Sequence, residues 1–148
     1  YRMWGYYWSR YCYKLPYGTM SLIRNSNQVK QAIDFSGLQN GKIHPSDIDA
    51  VLEFDNEVLI LIEVKRINNE IPTGQRLLLE RICDSWHTDK SIVLKVTHDF
   101  KIDESDIPLK LCNVEQVYFG GKWIYKESKL LDALRNIGRN WNISKLNF

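Results

Sequence analysis

The chain has 148 residues, of which 44% are hydrophobic and 26% charged, the composition of an ordinary globular domain. Lysine and arginine number 20 against 18 aspartate and glutamate, so a net charge of +2 gives no bulk indication of nucleic-acid binding. The longest apolar run, Val58 to Ile62, is far too short to cross a bilayer, and no signal peptide opens the sequence. We therefore expect one cytoplasmic domain over residues 1–148, without membrane association. A start at Tyr1 is also typical of a piece of a longer chain, which leaves a partner domain open. A homodimer stays open as well.

The cysteines and histidines do not form a metal-binding pattern. Neither set has the paired short spacing of a zinc site, and the odd number of cysteines is unsuited to a disulfide framework. We expect the cysteines to be reduced and buried, and the histidines to lie at the surface or at the edge of the core. The residues concerned are Cys12, Cys83, Cys112, His44, His87 and His98.

The opening segment is rich in aromatic residues at helical spacing. Such a stripe is typical of a helix that packs on the core, and it also suits a platform on which nucleic-acid bases stack. The stripe consists of Tyr1, Trp4, Trp8, Tyr11 and Leu15. Two short strands are predicted after it, at Thr19–Ile23 and Ala32–Leu38.

The remaining elements alternate between strands and helices. Asp47–Phe54 and Val58–Lys65 predict a β-hairpin around Asp55-Asn56-Glu57. Thr73 is suited to cap a helix that follows. The further predictions are a helix over Gly74–Trp86, an interior strand over Ser91–His98, a hairpin of Val114–Phe119 and Trp123–Tyr125, and a helix over Ser128–Trp141. This order favours an α/β sandwich, with a mixed sheet covered by helices on both faces.

The first hairpin brings charged residues together if its turn is centred on Asn56. Asp49 then lies opposite Glu63, and Lys65 shares the face of Glu63, because side chains alternate along a strand. A two-residue turn would shift the register by one and send Asp49 to the other face. The arrangement therefore requires a three-residue connection or a bulge.

Glu63 and Lys65 end a run of apolar residues, where charges are costly unless they are paired or bind a metal. Two neighbouring carboxylates with an ammonium beside them suit Mg²⁺ or Mn²⁺, and such a site suits phosphodiester hydrolysis. Two alternatives stay open at this point. The pair Glu63 and Lys65 also suits an exposed sheet edge, and Asp47 could take the place of Asp49.

These stretches resemble the PD-(D/E)XK nuclease superfamily, in particular small nuclease-like proteins of phages and mobile elements. The resemblance rests on Pro45–Ala50 and Ile62–Lys65, within a longer pattern from Ile33 to about His98. It implies a restriction-endonuclease-like three-layer sandwich. Asp49, Glu63 and the Val64 carbonyl would bind Mg²⁺ or Mn²⁺, Lys65 would serve the attacking water, and Gln75 would be a fourth catalytic residue. Pro45 departs from the pattern because it does not directly precede Asp49.

The sequence thus predicts an enzyme, a Mg²⁺-dependent deoxyribonuclease that hydrolyses phosphodiester bonds in DNA. Gln75 fits this site because Leu79, Ile82 and Trp86 lie on the same side of its helix, although it also suits a helix cap. Three other functions remain as alternatives on the same fold. They are a non-catalytic nucleic-acid-binding module, a protein-interaction module and a structure-specific nuclease similar to Holliday-junction resolvases.

Overall fold

The computed structural model describes residues 37–38, 45–101 and 106–147. The predictions for the aromatic helix, for Thr19–Ile23 and for most of Ala32–Leu38 lie outside these residues. The residues from Pro45 onward belong to one compact unit, His44–Phe148. A single domain over the whole chain stays a prediction.

Five strands and two helices make up this unit. They are β1 (Ala50–Phe54), β2 (Val58–Arg66), α1 (Thr73–Asp84), β3 (Ser91–His98), β4 (Asn113–Phe119), β5 (Lys122–Lys129) and α2 (Leu130–Asn140). The strands form one sheet in the order β1-β2-β3-β4-β5. Strands β2 and β3 are parallel, and the other neighbours are antiparallel. The predicted α/β class with a mixed sheet is confirmed.

The two helices cover opposite faces of the sheet. Strand β2 is apolar on both faces, as expected of a strand that has a parallel partner and is covered on both sides. Residues on one face pack with Leu130 and Leu134 of α2, and residues on the other face pack with Leu79 and Cys83 of α1. The first set includes Val58, Ile60, Ile62, Ile92, Leu94 and Val96, and the second includes Leu59, Leu61 and Val93. None of the described helices is long and apolar enough to cross a membrane.

The β1–β2 hairpin has the register that the sequence argument required. Phe54 pairs with Val58 and Ala50 with Ile62, which leaves three residues, 55–57, in the connection. The Glu57 N–H donates to the Phe54 carbonyl over 2.9 Å. Asp55 and Asn56 have φ values of 53° and 57°, in the left-handed region that these two residue types tolerate best after glycine.

Contacts from distant parts of the chain hold this turn. The Glu57 carbonyl accepts hydrogen bonds from Trp86 Nε1 at 3.0 Å and from Thr88 Oγ1 at 2.5 Å. On the other side, Lys145 Nζ lies 2.6 Å from an Asp55 carboxylate oxygen. The turn is therefore fixed by the α1–β3 loop and by the segment after α2.

Several element ends differ from the prediction. Helix α1 ends at Asp84 instead of Trp86, because the chain turns so that the Trp86 indole reaches the hairpin turn. The predicted cap at Thr73 is wrong: Pro72 is the N-cap residue, with no side-chain hydrogen bond. Helix α2 begins at Leu130 instead of Ser128, because β5 continues to Lys129 and pairs with β4 past a bulge.

Two of the cysteines are described, and both match the prediction. Cys83 and Cys112 are free and buried, and burial raises the pKa of each thiol. A raised pKa keeps a thiol protonated and unreactive. We therefore assign these two residues to core packing.

Candidate functional site

Glu63 is the first charged residue after the buried apolar run of β2. The apolar run of β2 ends one residue earlier, at Ile62, yet the Glu63 side chain is also 0% exposed. One carboxylate oxygen, Oε1, forms an ion pair with Lys65 Nζ. The other, Oε2, is buried and has no hydrogen-bond partner among the residues that the structure describes. A buried, unpaired carboxylate oxygen is costly, so this atom requires an explanation.

Burial raises the pKa of the Glu63 carboxyl, and the negative charges of Asp49 and Asp47 raise it further. The hydrogen bond and the charge of Lys65 act in the opposite direction without cancelling the effect of burial. The surroundings of Glu63 therefore disfavour its ionised form. A bound cation would stabilise the ionised form of Glu63.

Asp49 reaches the same stretch of β2 from the other strand of the hairpin. It lies in a bend directly before β1, and its Oδ2 accepts a hydrogen bond from the Val64 N–H over 2.7 Å. Its carboxylate therefore takes the place of a main-chain carbonyl where the β1–β2 pairing ends. For this reason β1 begins at Ala50 and not at Asp47 as predicted.

Lys65 and Gln75 join this group from β2 and from the first turn of α1. Gln75 Oε1 lies 3.4 Å from Lys65 Nζ, and Gln75 Nε2 donates to the Asp47 carbonyl over 3.1 Å. Both ends of the Gln75 amide therefore contact residues outside α1, and the side chain does not cap this helix. Asp47 takes part through its main chain here, whereas the carboxylate of Asp49 contacts β2 directly.

The structure thus brings together the five residues that the sequence predicted, Asp49, Glu63, Val64, Lys65 and Gln75. The alternative in which Glu63 and Lys65 decorate an exposed edge is wrong, because β2 lies between β1 and β3 and Glu63 is fully buried.

The chemistry of these groups suits a hard divalent cation. In a strand, the N–H and C=O of one residue point to the same side, so the Val64 carbonyl faces the side on which Asp49 lies. Two carboxylates and a carbonyl, completed by water, are a ligand set that Mg²⁺ accepts. Within the described ranges, no group of three or more His, Cys, Asp or Glu side chains is placed to hold a metal. Carboxylate and carbonyl oxygens are typical ligands of magnesium and manganese, whereas zinc sites are built mainly from histidine and cysteine.

Sequence reasoning missed a buried lysine on the same face of the sheet. Lys95 is 1% exposed and pairs in register with Glu63 across β2 and β3. Its Nζ lies 3.0 Å from Glu70 and 2.5 Å from Glu115. Burial acts to lower the pKa of Lys95, but these two carboxylates outweigh burial and raise it. The signal was available, because Lys95 interrupts an apolar run just as Glu63 does.

No protein-family model matches the chain, and comparison with curated proteins and with solved structures finds no match either. The PD-(D/E)XK resemblance therefore stays a prediction. Its support is the sequence pattern together with the positions of Asp49, Glu63, Lys65 and Gln75.

Proposed function

We propose that this protein is a metal-dependent nuclease with a restriction-endonuclease-like fold, which hydrolyses phosphodiester bonds in DNA. The observation that carries the proposal is the Oε2 atom of Glu63, which is buried, unpaired among the described residues and close to the charge of Asp49. A structural ion pair with Lys65 would account for Oε1 alone. A cation beside Oε2 accounts for the whole carboxylate.

Each residue of the group has a role in this proposal. Asp49, Glu63 and the Val64 carbonyl would hold Mg²⁺ or Mn²⁺. The cation would supply Lewis acidity toward a phosphodiester oxygen and toward a water molecule. Lys65 Nζ, anchored by Glu63 and near Gln75, would donate a hydrogen bond to the attacking water or to the charge that develops on the phosphate. Gln75 would orient Lys65 and tie α1 to the segment before β1.

The first experiment measures cleavage. The protein is incubated with single-stranded, double-stranded and branched DNA in the presence of Mg²⁺ or Mn²⁺, and products are separated on denaturing gels. Glu63→Gln and Lys65→Met should each lower the cleavage rate about 100-fold or more, the usual effect of removing one group that stabilises the transition state. Lys90→Met is the matched control, because Lys90 pairs with Glu57 at the opposite end of the sheet.

The second experiment measures metal binding without DNA. Mn²⁺ should raise the melting temperature of the wild-type protein by mass action, and Glu63→Gln should abolish this rise. Absence of both cleavage and a Mn²⁺-dependent rise would overturn the proposal. DNA binding without cleavage, unchanged by Lys65→Met, would also overturn it and would assign the protein to the non-catalytic binding modules.

A further inference from the structure

A cavity lies on the α1 face of the sheet, near the candidate metal site of Asp49 and Glu63. Its volume is ≈ 450 Å³, which is within the size range of small-molecule sites. It is lined by Trp123 of β5, Gln116 of β4, Arg76 and Glu80 of α1, and Glu70 and Thr73 near the start of α1.

The start of α1 separates this cavity from the candidate metal site. Gln75 contacts Lys65 and Asp47 on the side of β2, whereas its neighbour Arg76 lies over the Trp123 ring on the side of β5. The two sites are nevertheless close, because Glu63 pairs in register with Lys95, and Lys95 Nζ lies 3.0 Å from Glu70 in the cavity lining. A nucleic-acid strand with a phosphate at Glu63 would therefore have a neighbouring nucleotide near the cavity.

The aromatic ring in this cavity is held firmly in place. Trp123 Nε1 donates to Glu80 over 2.6 Å, and the Tyr118 ring lies 5.4 Å from the Trp123 ring. On one face of the indole, the Arg76 guanidinium lies 5.3 Å from the ring centre. The Arg76 side chain is 49% exposed, and such exposed ion pairs contribute little, so a flat ligand can displace it at low cost.

The charges around the Trp123 ring disfavour a phosphate and favour a neutral group that donates hydrogen bonds. Arg76 is already neutralised by Glu80 at 2.9 Å, and Glu70 adds a second carboxylate at the opening. Glu70 is held there by the buried Lys95, 3.0 Å away. Carboxylates and the amide oxygen of Gln116 accept hydrogen bonds from N–H groups, and the exocyclic amines of cytosine, adenine and guanine are such donors.

We infer that this cavity binds the base of an unpaired nucleotide, which stacks on Trp123 and donates hydrogen bonds to the surrounding acceptors. The ligand class rests on the proposed nuclease function. A base within a duplex does not offer its face, so the inference makes single-stranded or locally unpaired nucleic acid the substrate class.

The test measures binding of fluorescein-labelled DNA by anisotropy in EDTA, so that cleavage plays no part. Single-stranded DNA should bind more tightly than a duplex of the same sequence, and oligo-dC should bind about 2- to 10-fold more tightly than oligo-dT, as expected of one extra hydrogen bond. Trp123→Leu should weaken single-strand binding about 5- to 100-fold, the usual effect of losing one base–aromatic stack. Trp123→Phe should restore most of the affinity.

Trp141→Leu is the matched control, because Trp141 belongs to the core on the α2 face and packs beside Phe119. It should leave binding unchanged. The inference is overturned if Trp123→Leu remains folded and binds like the wild type, or if the wild type binds oligo-dC, oligo-dT and duplex equally. The comparison of oligo-dC, oligo-dT and duplex uses only the wild type, so it tests the inference even if Trp123→Leu fails to fold. If Trp123→Leu does not affect cleavage, the base site is contradicted while the proposed nuclease function is not. If binding depends on Trp123 but no DNA is cleaved, the nuclease function is contradicted while the base site is not.

Discussion

Glu63 and Lys95 lie side by side on β2 and β3, are both almost completely buried, and differ in how their charges are balanced. The Lys95 ammonium has two carboxylates, Glu70 and Glu115, as partners. Among the residues that the structure describes, Glu63 has one partner for two oxygens. Buried charges persist in proteins when they are paired or bind metal. The partners of Lys95 account for its burial, and for Glu63 we propose a bound cation.

Tyr118 is a third buried residue with a polar group on this face, and it leads to a prediction about how stability depends on pH. Burial raises the pKa of Tyr118 from 10.0 to about 12, with a further contribution from the hydrogen bond to Asp84 at 2.8 Å. The protonated hydroxyl therefore stabilises the fold fully below pH 10, and this stabilisation is lost as the pH rises through about 12. Tyr118→Phe should lower the free energy of unfolding by about 1 kcal/mol at pH 8, with a smaller difference by pH 11.

Urea unfolding between pH 8 and pH 11 measures this difference. Tyr125→Phe serves as the control, because Tyr125 is 68% exposed, and its substitution should change the free energy of unfolding little. A Tyr118→Phe difference that does not depend on pH would contradict the prediction.

At the scale of elements, the position of Asp49 depends on which register the β1–β2 hairpin adopts. In a two-residue hairpin the Glu57 carbonyl would accept from the Phe54 N–H, and every side chain of β1 would change face. The observed hairpin keeps Glu57 in the connection, and its carbonyl accepts from Trp86 and Thr88 instead. We infer that these two donors select the register that the candidate site requires.

Removing both donors tests this selection. The double variant Trp86→Phe/Thr88→Val should lower the free energy of unfolding by about 1–3 kcal/mol, because the Glu57 carbonyl loses two hydrogen bonds. It should also reduce the rise in melting temperature that we expect from Mn²⁺. Thr73→Val is the control, because the Thr73 side chain makes no capping bond and lies exposed at the start of α1. Unchanged stability and an unchanged Mn²⁺ response in the double variant would refute the selection.

At the scale of the whole unit, Lys95 ties together three elements that are distant in sequence. It connects β3 to Glu70 in the β2–α1 loop and to Glu115 at the bulge in β4. Its loss would leave Glu115, which is 22% exposed, without its buried partner. Lys95→Met should therefore lower the free energy of unfolding by about 1–3 kcal/mol.

A double-mutant cycle separates this pairing from simple packing effects. Adding Glu115→Gln to Lys95→Met should recover part of the lost stability, because the two residues interact directly. Lys126→Met, at an exposed position of β5, should change stability little. Full additivity of Lys95→Met and Glu115→Gln in urea unfolding would contradict the predicted coupling.

The sequence by itself determined the types and order of the described elements and the residues of the candidate site. The apolar runs of β2 and β3 and the helical spacing in α1 and α2 were sufficient, because strand and helix periods are local properties. The same patterns identified Glu63, Lys65 and Gln75 as polar residues placed against a core.

Only the tertiary structure decided how these residues meet. The hairpin register depends on donors at Trp86 and Thr88, and the position of the Gln75 amide depends on the Asp47 carbonyl. These contacts join positions that are 28 to 31 residues apart. The burial of Lys95 depends likewise on Glu115 across the sheet. Local periodicity cannot specify such contacts, because a turn that is one residue shorter satisfies the same pattern while reversing the faces of β1.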